Sequence, residues 1–444
     1  MTDPTPEPVR DRFVVWTDPG DGRPVPAGLC LSERFEDGVG RCTFWYGGLY
    51  RRRPDAVAID PDALPLPDPS DPSPRPRPIT TDRPLFGVLD DAGPDGWGRW
   101  LMEGVSGRHD LRDAERVLAT GPGRVGALAF SREVTPRPEP VRPWEAPDPG
   151  PHDLGALTEA ANRMASTGVF DPADPSHLAL VEVGACLGGA RPKATVRLDG
   201  DPWIAKFDTD RDRLPQARLE HAAAMLARRC GVPFPETRVE TVAAADVFLV
   251  RRFDRVVGEH GREVRLGFRS ALTVLGEDEM TARYASYGDL AAAAGRMGGL
   301  PAVRDVWRRM AFNVMVSNDD DHLRNHGFVR APDGRWSLSP AFDVAPRPSR
   351  SSTPSGHAVT IHDGSNAGTY DAVVGAGIAM GLPGDEVRAR ATAMAARVSD
   401  GWDRALAHAG IGAADRERLR VCVRVADGPS GAIPDAAPVS LPSP

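Results

Sequence analysis

Lysine is almost absent from this chain of 444 residues. Of its 54 basic residues, only Lys193 and Lys206 are lysines, and the other 52 are arginines. Solvated surface charges tolerate such a bias, because lysine and arginine are largely interchangeable there. A lysine ammonium, however, is a compact point charge that suits a phosphate group. Two lysines thirteen residues apart therefore indicate a chemical requirement in that stretch, with chance clustering as the alternative.

Cysteine and long apolar runs are also scarce. The five cysteines are odd in number and widely spaced, with no CxxC pair or zinc-type spacing. This pattern predicts a reducing, cytoplasmic compartment. No apolar run approaches the ~18 residues of a membrane span. The N-terminus MTDPTPEPVR has no apolar segment of the kind that a secretory signal requires.

Excess positive charge is missing as well. The formal net charge is -8 and the pI is about 5.7, which argues against a protein that coats nucleic acid by charge alone. Hydrophobic residues make up 41% of the chain, as in ordinary globular proteins. The length predicts two or three domains, at roughly 150 residues each.

Periodicity and turn residues predict the elements along the chain. Residues 12–50 have the apolar alternation of a small β region, and residues 124–130, 247–253 and 336–343 are predicted strands. Asp199-Gly200 predicts a hairpin over 193–207. Helices are predicted within 85–105 and over 112–119, 153–165, 217–230 and 303–318. A Pro-rich loop over 64–78, a Pro-rich linker over 131–151 and a frayed tail over 427–444 complete the pattern.

The densest polar cluster follows the helix predicted over 303–318. Three adjacent carboxylates, at 319–321, repel one another and require a counter-charge nearby. Asp320 and Asn325 have the D-x-x-x-x-N spacing of a kinase catalytic loop, in which Asp orients or deprotonates a hydroxyl and Asn holds Mg²⁺. His322 lies between them, and Asp343, at the end of the predicted strand, is placed like a second metal ligand. The non-catalytic alternatives are that the cluster is an acidic surface loop and that Asp343 only caps a turn.

Two other classes of site fit the acidic cluster less well. An EF-hand loop needs a Glu at its twelfth position, where this chain has Val329 or Arg330. A phosphatase of the HAD type needs its DxD motif after a strand, whereas the element predicted before the cluster is a helix.

A nucleotide site is predicted upstream, in the stretch that holds both lysines. GACLGGARPKATV (184–196) brings Gly188 and Gly189 in front of the hairpin, as in kinase N-lobes, and it is not a Walker A loop because Lys-Ser/Thr is missing. Lys206 is placed to contact α- and β-phosphates, and Glu220 to pair with it, while Lys193 and Arg191 could add positive charge beside the loop. A plain turn and a surface lysine are the alternatives.

Two further motifs resemble functional sites but lack the sequence context that such sites require. GPGRVG (121–126) matches G-x-G-x-x-G, but a helix precedes it and a strand follows, which inverts the dinucleotide-binding order. We interpret it as a turn. Cys186 has no partner histidine that the sequence selects, so it is a weak candidate nucleophile.

Several motifs in order resemble the HipA family of bacterial serine/threonine kinases, the toxin half of type II toxin–antitoxin modules. They are FGVLDDAGPDGWGR (86–99), RVGALAF (124–130), LGGARPKATV (187–196), WIAKFD (203–208), FLVRRFDR (248–255), NDDDHLRNHGF (318–328) and LSPAFDVAP (338–346). The resemblance covers roughly residues 30–400. It implies an α+β, protein-kinase-like, two-lobed catalytic domain with a small β-rich N-terminal domain and a mostly helical C-lobe.

The resemblance also implies boundaries and roles. The N-terminal subdomain spans 1–130, the linker 131–151, the kinase N-lobe 152–255, the helical C-lobe 256–426 and a disordered tail 427–444. Lys206 matches the ATP lysine, and Leu249, Val250, Arg251 and Phe253 lie in the hinge that receives adenine. Asp320 matches the catalytic Asp, His322 its neighbour near the phosphates, and Asn325 and Asp343 the Mg²⁺ ligands.

The implied activity is ATP- and Mg²⁺-dependent phosphorylation of a bacterial protein such as an aminoacyl-tRNA synthetase or another translation factor. The implied partner is a helix-turn-helix antitoxin, with DNA contacted only through it and no membrane. A kinase for small molecules or lipids, and a non-catalytic kinase-like module acting through an antitoxin–DNA complex, remain alternatives.

Two positions depart from the family pattern. Cys186 stands where members often carry an autophosphorylated serine, and no Ser or Thr lies between 178 and 194. Arg251 stands where a family member has an acidic hinge residue. The first departure puts autophosphorylation of the loop in doubt, and the second could alter contacts with the nucleotide.

Overall fold

The computed structural model describes residues 7–68, 77–138, 140–142, 153–258, 261–349 and 356–427. Its strands are β1 (Val9–Thr17), β2 (Val25–Arg34), β3 (Gly40–Tyr46), β4 (Ile79–Thr81), β5 (Leu128–Ser131), β6 (Lys193–Leu198), β7 (Asp201–Phe207), β8 (Thr237–Val242), β9 (Ala245–Arg251), β10 (Arg255–Val257), β11 (Glu263–Arg265), β12 (Gly267–Ser270), β13 (Gly327–Arg330) and β14 (Trp336–Leu338).

The α-helices are α1 (Gly48–Arg51), α2 (Gly87–Asp90), α3 (Gly96–Ser106), α4 (Asp113–Ala119), α5 (Leu154–Thr167), α6 (Pro175–Gly184), α7 (Gln216–Arg229), α8 (Ala271–Leu275), α9 (Tyr287–Met315), α10 (Tyr370–Ala379), α11 (Gly384–His408) and α12 (Ala413–Leu419). Short 3-10 turns cover Ala282–Tyr284, Leu323–Asn325 and Arg420–Asp427. Within the described ranges, no helix is long and apolar enough to cross a membrane.

The chain folds into two compact units, each built from separate stretches of sequence. Unit 1 comprises Met1–Ala217, Pro235–Asp278 and Leu323–Pro340, and unit 2 comprises Arg218–Phe234, Glu279–His322 and Ala341–Pro444. The predicted linker lies partly outside the described residues, as do residues 428–444 of the predicted tail. The domain boundaries drawn from the sequence therefore stay a prediction.

The first sheet of unit 1 confirms the β region predicted near the N-terminus. Its five antiparallel strands have the order β4-β3-β2-β1-β5. Strand β1 lies between β2 and the edge strand β5, and its second half, which pairs with both, is buried. Aromatic side chains fill the core on one face of this sheet, with Phe13, Phe44, Tyr46 and Phe130 at most 1% exposed.

The second sheet of unit 1 carries the predicted hairpin. Its order is β6-β7-β9-β8, and Asp199 and Gly200 form the two-residue turn with positive φ angles of 53° and 87°. Such a turn needs a left-handed conformation at both positions, which Asp-Gly adopts readily. A shared hydrophobic core packs helices α3, α5 and α6 against this sheet. The hairpin prediction is confirmed. The register of this hairpin pairs Lys193 with Lys206.

Unit 2 is predominantly helical. Ser286 and Asp289 form a capping box at the start of α9, and Gly299, with φ 62° and Pro301 shortly after it, breaks the helix in the middle. The later part of α9 corresponds to the helix predicted over 303–318, which ends at Met315. Its buried side includes Trp307 and Met310, in the predicted spacing.

The structure corrects one predicted strand and adds elements that were not predicted. The strand predicted to end at Phe342 and Asp343 ends at Leu338, because Ser339 donates to the Gly327 carbonyl and the next residue, Pro340, has no N–H to continue the ladder. Helix α6 was not predicted, although Asp174-Pro175 is a good start signal. The Asp174 carboxylate accepts the Ser176 N–H, with Pro175 in the first turn.

Candidate functional site

The glycine-rich segment connects α6 to β6 in unit 1. Gly188 and Ala190 are exposed and Gly189 is half-buried, whereas Cys186 and Leu187 are buried. Gly189 has φ +90°, a conformation that favours glycine. Burial raises the pKa of the Cys186 thiol, so this side chain is an inert part of the core rather than a nucleophile. The exposed edge of the loop is therefore formed by backbone and small side chains, as an anion-binding loop requires.

Both lysines lie beside this loop. Lys193 and Lys206 are directly opposite each other in the β6–β7 pair, and each is only 8% exposed. The Lys206 ammonium lies 5.8 Å from the centre of the Phe248 ring. The Lys193 ammonium lies where a β-carbon on Gly189 would clash with it. Two ammonium groups beside a glycine-rich loop form a basic cradle of the kind that binds phosphate oxygens.

Arg191 is engaged by two carboxylates. Its guanidinium contacts Asp212 at 2.7 Å and Asp208 at 3.3 Å. The Asp208 carboxylate also accepts the N–H of Ala217 in the first turn of α7. Burial raises the pKa of Asp208 to about 7, with Asp212 and Asp246 adding to the rise and Arg191 and the Ala217 N–H opposing it. Arg191 therefore orders the chain after β7 rather than adding free positive charge to the loop.

The raised pKa of Asp208 makes stability depend on pH. Because its folded-state pKa of about 7 lies above 3.8, the native chain binds this proton more tightly than the unfolded chain. The stability from this group is present at low pH and is lost as pH rises from 3.8 to about 7. We expect Asp208→Asn to raise the melting temperature at pH 8 by roughly 2–5 °C and to change it little at pH 4. Melting curves at both pH values, with Asp210→Asn as an exposed control, test this, and equal shifts at both would contradict it.

The predicted hinge residues lie at and just beyond the end of strand β9. Leu249 is buried opposite Ala205, and Val250 is paired with Ile204. Arg251 is half-exposed and donates to the Asp201 carboxylate at 2.8 Å. Phe253 lies 6.4 Å from the Phe268 ring, centre to centre. The guanidinium of Arg251 is thus engaged by a neighbouring carboxylate, and the apolar side chains beside it remain candidates for contact with a base.

The three adjacent carboxylates of unit 2 have different environments. Asp321 is buried and accepts hydrogen bonds from Tyr287 and Asn313, so it holds the turn together. The side chain of Asp320 is 50% exposed and contacts Arg347 at 2.7 Å. Arg347 also lies 3.9 Å from Asp319 and is the counter-charge that the cluster was predicted to need. Asp320 is therefore the carboxylate best placed to meet a substrate.

Two hydrogen bonds connect the segment after Asp343 to the turn before Asp320. Ala345 donates to the Asn318 side chain at 3.2 Å, and Arg347 donates to the Ser317 carbonyl at 2.9 Å. Asp343 itself has φ 59°, which is uncommon for a residue with a β-carbon and marks a constrained position. The Asp320 turn and the Asp343 segment thus belong to one hydrogen-bonded substructure of unit 2.

The other predicted residues divide between the two units. In unit 2, His322 is exposed and donates its N–H to the Asp320 carbonyl at 2.9 Å, and Glu220 is 3% exposed on α7. In unit 1, Asn325 is buried in the 3-10 turn that precedes β13. Asn325 and Asp343 offer only oxygen ligands, the type Mg²⁺ prefers, and Mg²⁺ takes few ligands from the protein when it binds with phosphates. In the described part of the chain, no three His, Cys, Asp or Glu side chains cluster as a metal site of their own.

Comparison with known proteins identifies the class. Residues 185–402 match the family model of the HipA-like C-terminal domain. Over 90% of its length the chain superimposes on 95% of a HipA chain from Shewanella oneidensis MR-1, solved with HipB and its operator DNA, with a TM-score of 0.62 and 16% identity. The fold is thus the kinase-like α+β fold predicted from the sequence. The chain contains a HipA-like C-terminal domain, and the predicted resemblance to the HipA family is confirmed.

Two further proteins match shorter parts of the chain. A Haemophilus influenzae protein described as a presumed kinase is 25% identical over 147 residues, which is 30% of this chain. The match spans 42% of that relative's length. The Helicobacter pylori proinflammatory kinase CtkA has a TM-score of 0.39 and 13% identity, covering 53% of this chain and 90% of CtkA.

Proposed function

We propose that this protein is an ATP- and Mg²⁺-dependent serine/threonine protein kinase of the HipA type. The observation that carries the proposal is the lysine pair. The chain keeps lysine at two positions, and these two lie opposite each other on the hairpin beside the glycine-rich loop. Two ammonium groups placed side by side beside a glycine-rich loop suit the binding of several anionic oxygens at once, and the triphosphate of ATP offers such oxygens.

Each predicted residue has a chemical task in this proposal. The loop backbone around Gly188 and Gly189, with Lys193 and Lys206, holds the phosphates, and Glu220 fixes the rotamer of Lys206. Leu249, Val250 and Phe253 offer apolar surface to adenine. Asp320 accepts the proton of the substrate hydroxyl as the oxygen forms its bond to the γ-phosphorus, and ADP leaves with the electron pair. Asn325 and Asp343 would hold Mg²⁺, which supplies charge neutralisation, and His322 lies near the phosphates.

The partners follow from the same proposal. The S. oneidensis HipA structure is a complex with HipB and operator DNA. We propose a helix-turn-helix antitoxin as the partner of this chain, with DNA reached only through it, and a cytoplasmic protein target such as an aminoacyl-tRNA synthetase or another translation factor. Cys186 has no hydroxyl, so autophosphorylation at that loop position is not part of the proposal.

Transfer of labelled phosphate tests the proposal. The purified chain, incubated with γ-labelled ATP, Mg²⁺ and a bacterial lysate, is expected to label a protein band that survives lipid extraction. Label found only in small molecules or lipids would favour a different kinase class. Calorimetry without any Mg·ATP binding would instead favour a non-catalytic module.

Lys206→Ala is expected to weaken ATP binding by about 10- to 100-fold. The reason is the loss of a charge-assisted contact to a phosphate, which is worth about 1.5–3 kcal/mol. Calorimetric titration with ATP measures the effect. Arg197→Ala, which removes a 59% exposed cation near the far end of the same hairpin, is the control and is expected to bind ATP like the wild type. Equal affinities in all three proteins would contradict the assignment of Lys206.

A further inference from the structure

Residues 93–98 in the N-terminal half hold the glycine-rich loop from one side. Gly189 donates its N–H to the Asp95 carboxylate and accepts the Trp97 N–H at 2.8 Å, so its peptide groups are fixed on both sides. The side chain of Asp95, the residue before α3, makes no capping hydrogen bond to that helix, so this carboxylate serves the loop instead. A β-carbon on Gly98 would lie 2.5 Å from the Leu187 carbonyl oxygen. Only glycine allows α3 to approach the loop this closely.

Residues 121–126, the GPGRVG turn, hold the loop from behind. A β-carbon on Gly123 would lie 2.6 Å from the Cys186 sulfur. Arg252 donates to the Gly123 carbonyl and to Thr195 in β6, the latter at 3.1 Å. Gly123 therefore allows close packing against Cys186 and against Thr195 of strand β6, which agrees with the interpretation of the motif as a turn.

We propose that these two turns, residues 93–98 and 121–126, form a seat that holds residues 186–189 in one conformation, with Asp95 as its positioning residue. The inference rests on the proposed function, because it assigns the seat to the nucleotide loop of that function. A loop fixed before the ligand arrives binds without a further cost of ordering. Nucleotide affinity therefore depends on an N-terminal segment that lies 94 residues before Gly189 in the chain.

Hydrogen exchange and ATP titration of the full chain test the seat. Asp95→Ala removes the acceptor of the Gly189 N–H, and we expect that amide to exchange at least about tenfold faster, with ATP affinity weakened by a similar factor. Asp95→Asn keeps an oxygen acceptor and is expected to restore most of both. Gly98→Ala should resemble Asp95→Ala, since the new methyl group displaces the loop.

Matched controls separate the seat from general stability. Asp37→Ala removes an exposed carboxylate that also accepts a backbone N–H, and Gly48→Ala adds a methyl group with no heavy atom closer than 3.9 Å. Both are expected to leave loop exchange and ATP affinity unchanged. If Gly98→Ala does not fold, the two Asp95 variants decide the question.

Four outcomes are decisive. Unchanged loop exchange in Asp95→Ala overturns the seat, as does failure of Asp95→Asn to restore protection. Faster loop exchange with unchanged ATP affinity overturns the assignment of the seat to nucleotide binding. A wild-type chain that binds no ATP refutes the proposed function, and exchange of the Gly189 amide then still decides whether Asp95 holds the loop.

Discussion

Asp320→Asn is expected to lower the rate of phosphoryl transfer by about 10²- to 10⁴-fold while ATP still binds. The substituted amide has nearly the same shape and can still accept the hydrogen bond from Arg347, but it cannot take a proton from a substrate hydroxyl. The half-exposed position of Asp320 is compatible with such contact. Transfer of labelled phosphate, measured together with calorimetric ATP binding, gives the rate and the affinity separately.

The neighbouring carboxylates provide the controls for this prediction. Asp319→Asn makes the same chemical change one residue away, at a carboxylate 3.9 Å from Arg347, and is expected to alter the rate less than about fivefold. Asp321→Asn disturbs the hydrogen bonds from Tyr287 and Asn313 and is expected to lower the melting temperature. Transfer by Asp320→Asn at the wild-type rate, or an equal loss in Asp319→Asn, would refute the catalytic role of Asp320.

Local signals predicted much of the architecture. Asp199-Gly200 specifies a two-residue turn, so the hairpin and the pairing of Lys193 with Lys206 follow from residues close in sequence. The helical spacing of Trp307 and Met310 likewise predicts a buried helix. The need of three adjacent carboxylates for a cation predicted the kind of residue that Arg347 supplies. These inferences succeed because the deciding interactions are local or follow from simple charge balance.

Other features are beyond such reasoning because they depend on contacts between distant residues. Nothing in the sequence around Asp95 indicates that its carboxylate accepts the Gly189 N–H instead of capping the helix that follows it. The strand that begins at Trp336 ends before Pro340, whereas the apolar pattern of the sequence continues past that proline and predicted a longer strand. The roles proposed for Glu220, Asn325 and Asp343 likewise depend on three-dimensional arrangement, which spacing alone does not determine.

The motif FLVRRFDR also has a role that its sequence does not indicate. Asp254 is buried between Arg252 and Arg255, with carboxylate–guanidinium distances of 2.8 and 2.6 Å, and accepts the Gly126 N–H at 2.8 Å. Both arginines donate to the Arg124 carbonyl, at 2.9 and 2.6 Å. This buried charge cluster holds the GPGRVG turn, which in turn packs against the glycine-rich loop.

Asp254→Asn is expected to destabilise the protein by about 3–5 kcal/mol and to lower its melting temperature by roughly 5 °C. The amide can still accept the Gly126 N–H, but two buried guanidinium groups lose the carboxylate that they share. Burial alone would raise the pKa of Asp254, but Arg252 and Arg255 outweigh it and hold this pKa well below its usual value of 3.8. The stabilisation is therefore present in full above pH 3.8 and is lost as pH falls toward the folded-state pKa.

Thermal melting at pH 7 and at decreasing pH measures this effect, with Asp55→Asn as the matched control. Asp55 pairs with Arg53 at 2.7 Å on the surface, where its side chain is 42% exposed, so the same substitution there is expected to cost less than about 1 kcal/mol. The difference between Asp254→Asn and the wild type should shrink as the solution becomes acidic, because the wild-type carboxylate is then protonated too. If Asp254→Asn melts at the same temperature as the wild type at pH 7, or if the difference in melting temperature increases at acidic pH, Asp254 does not neutralise this cluster.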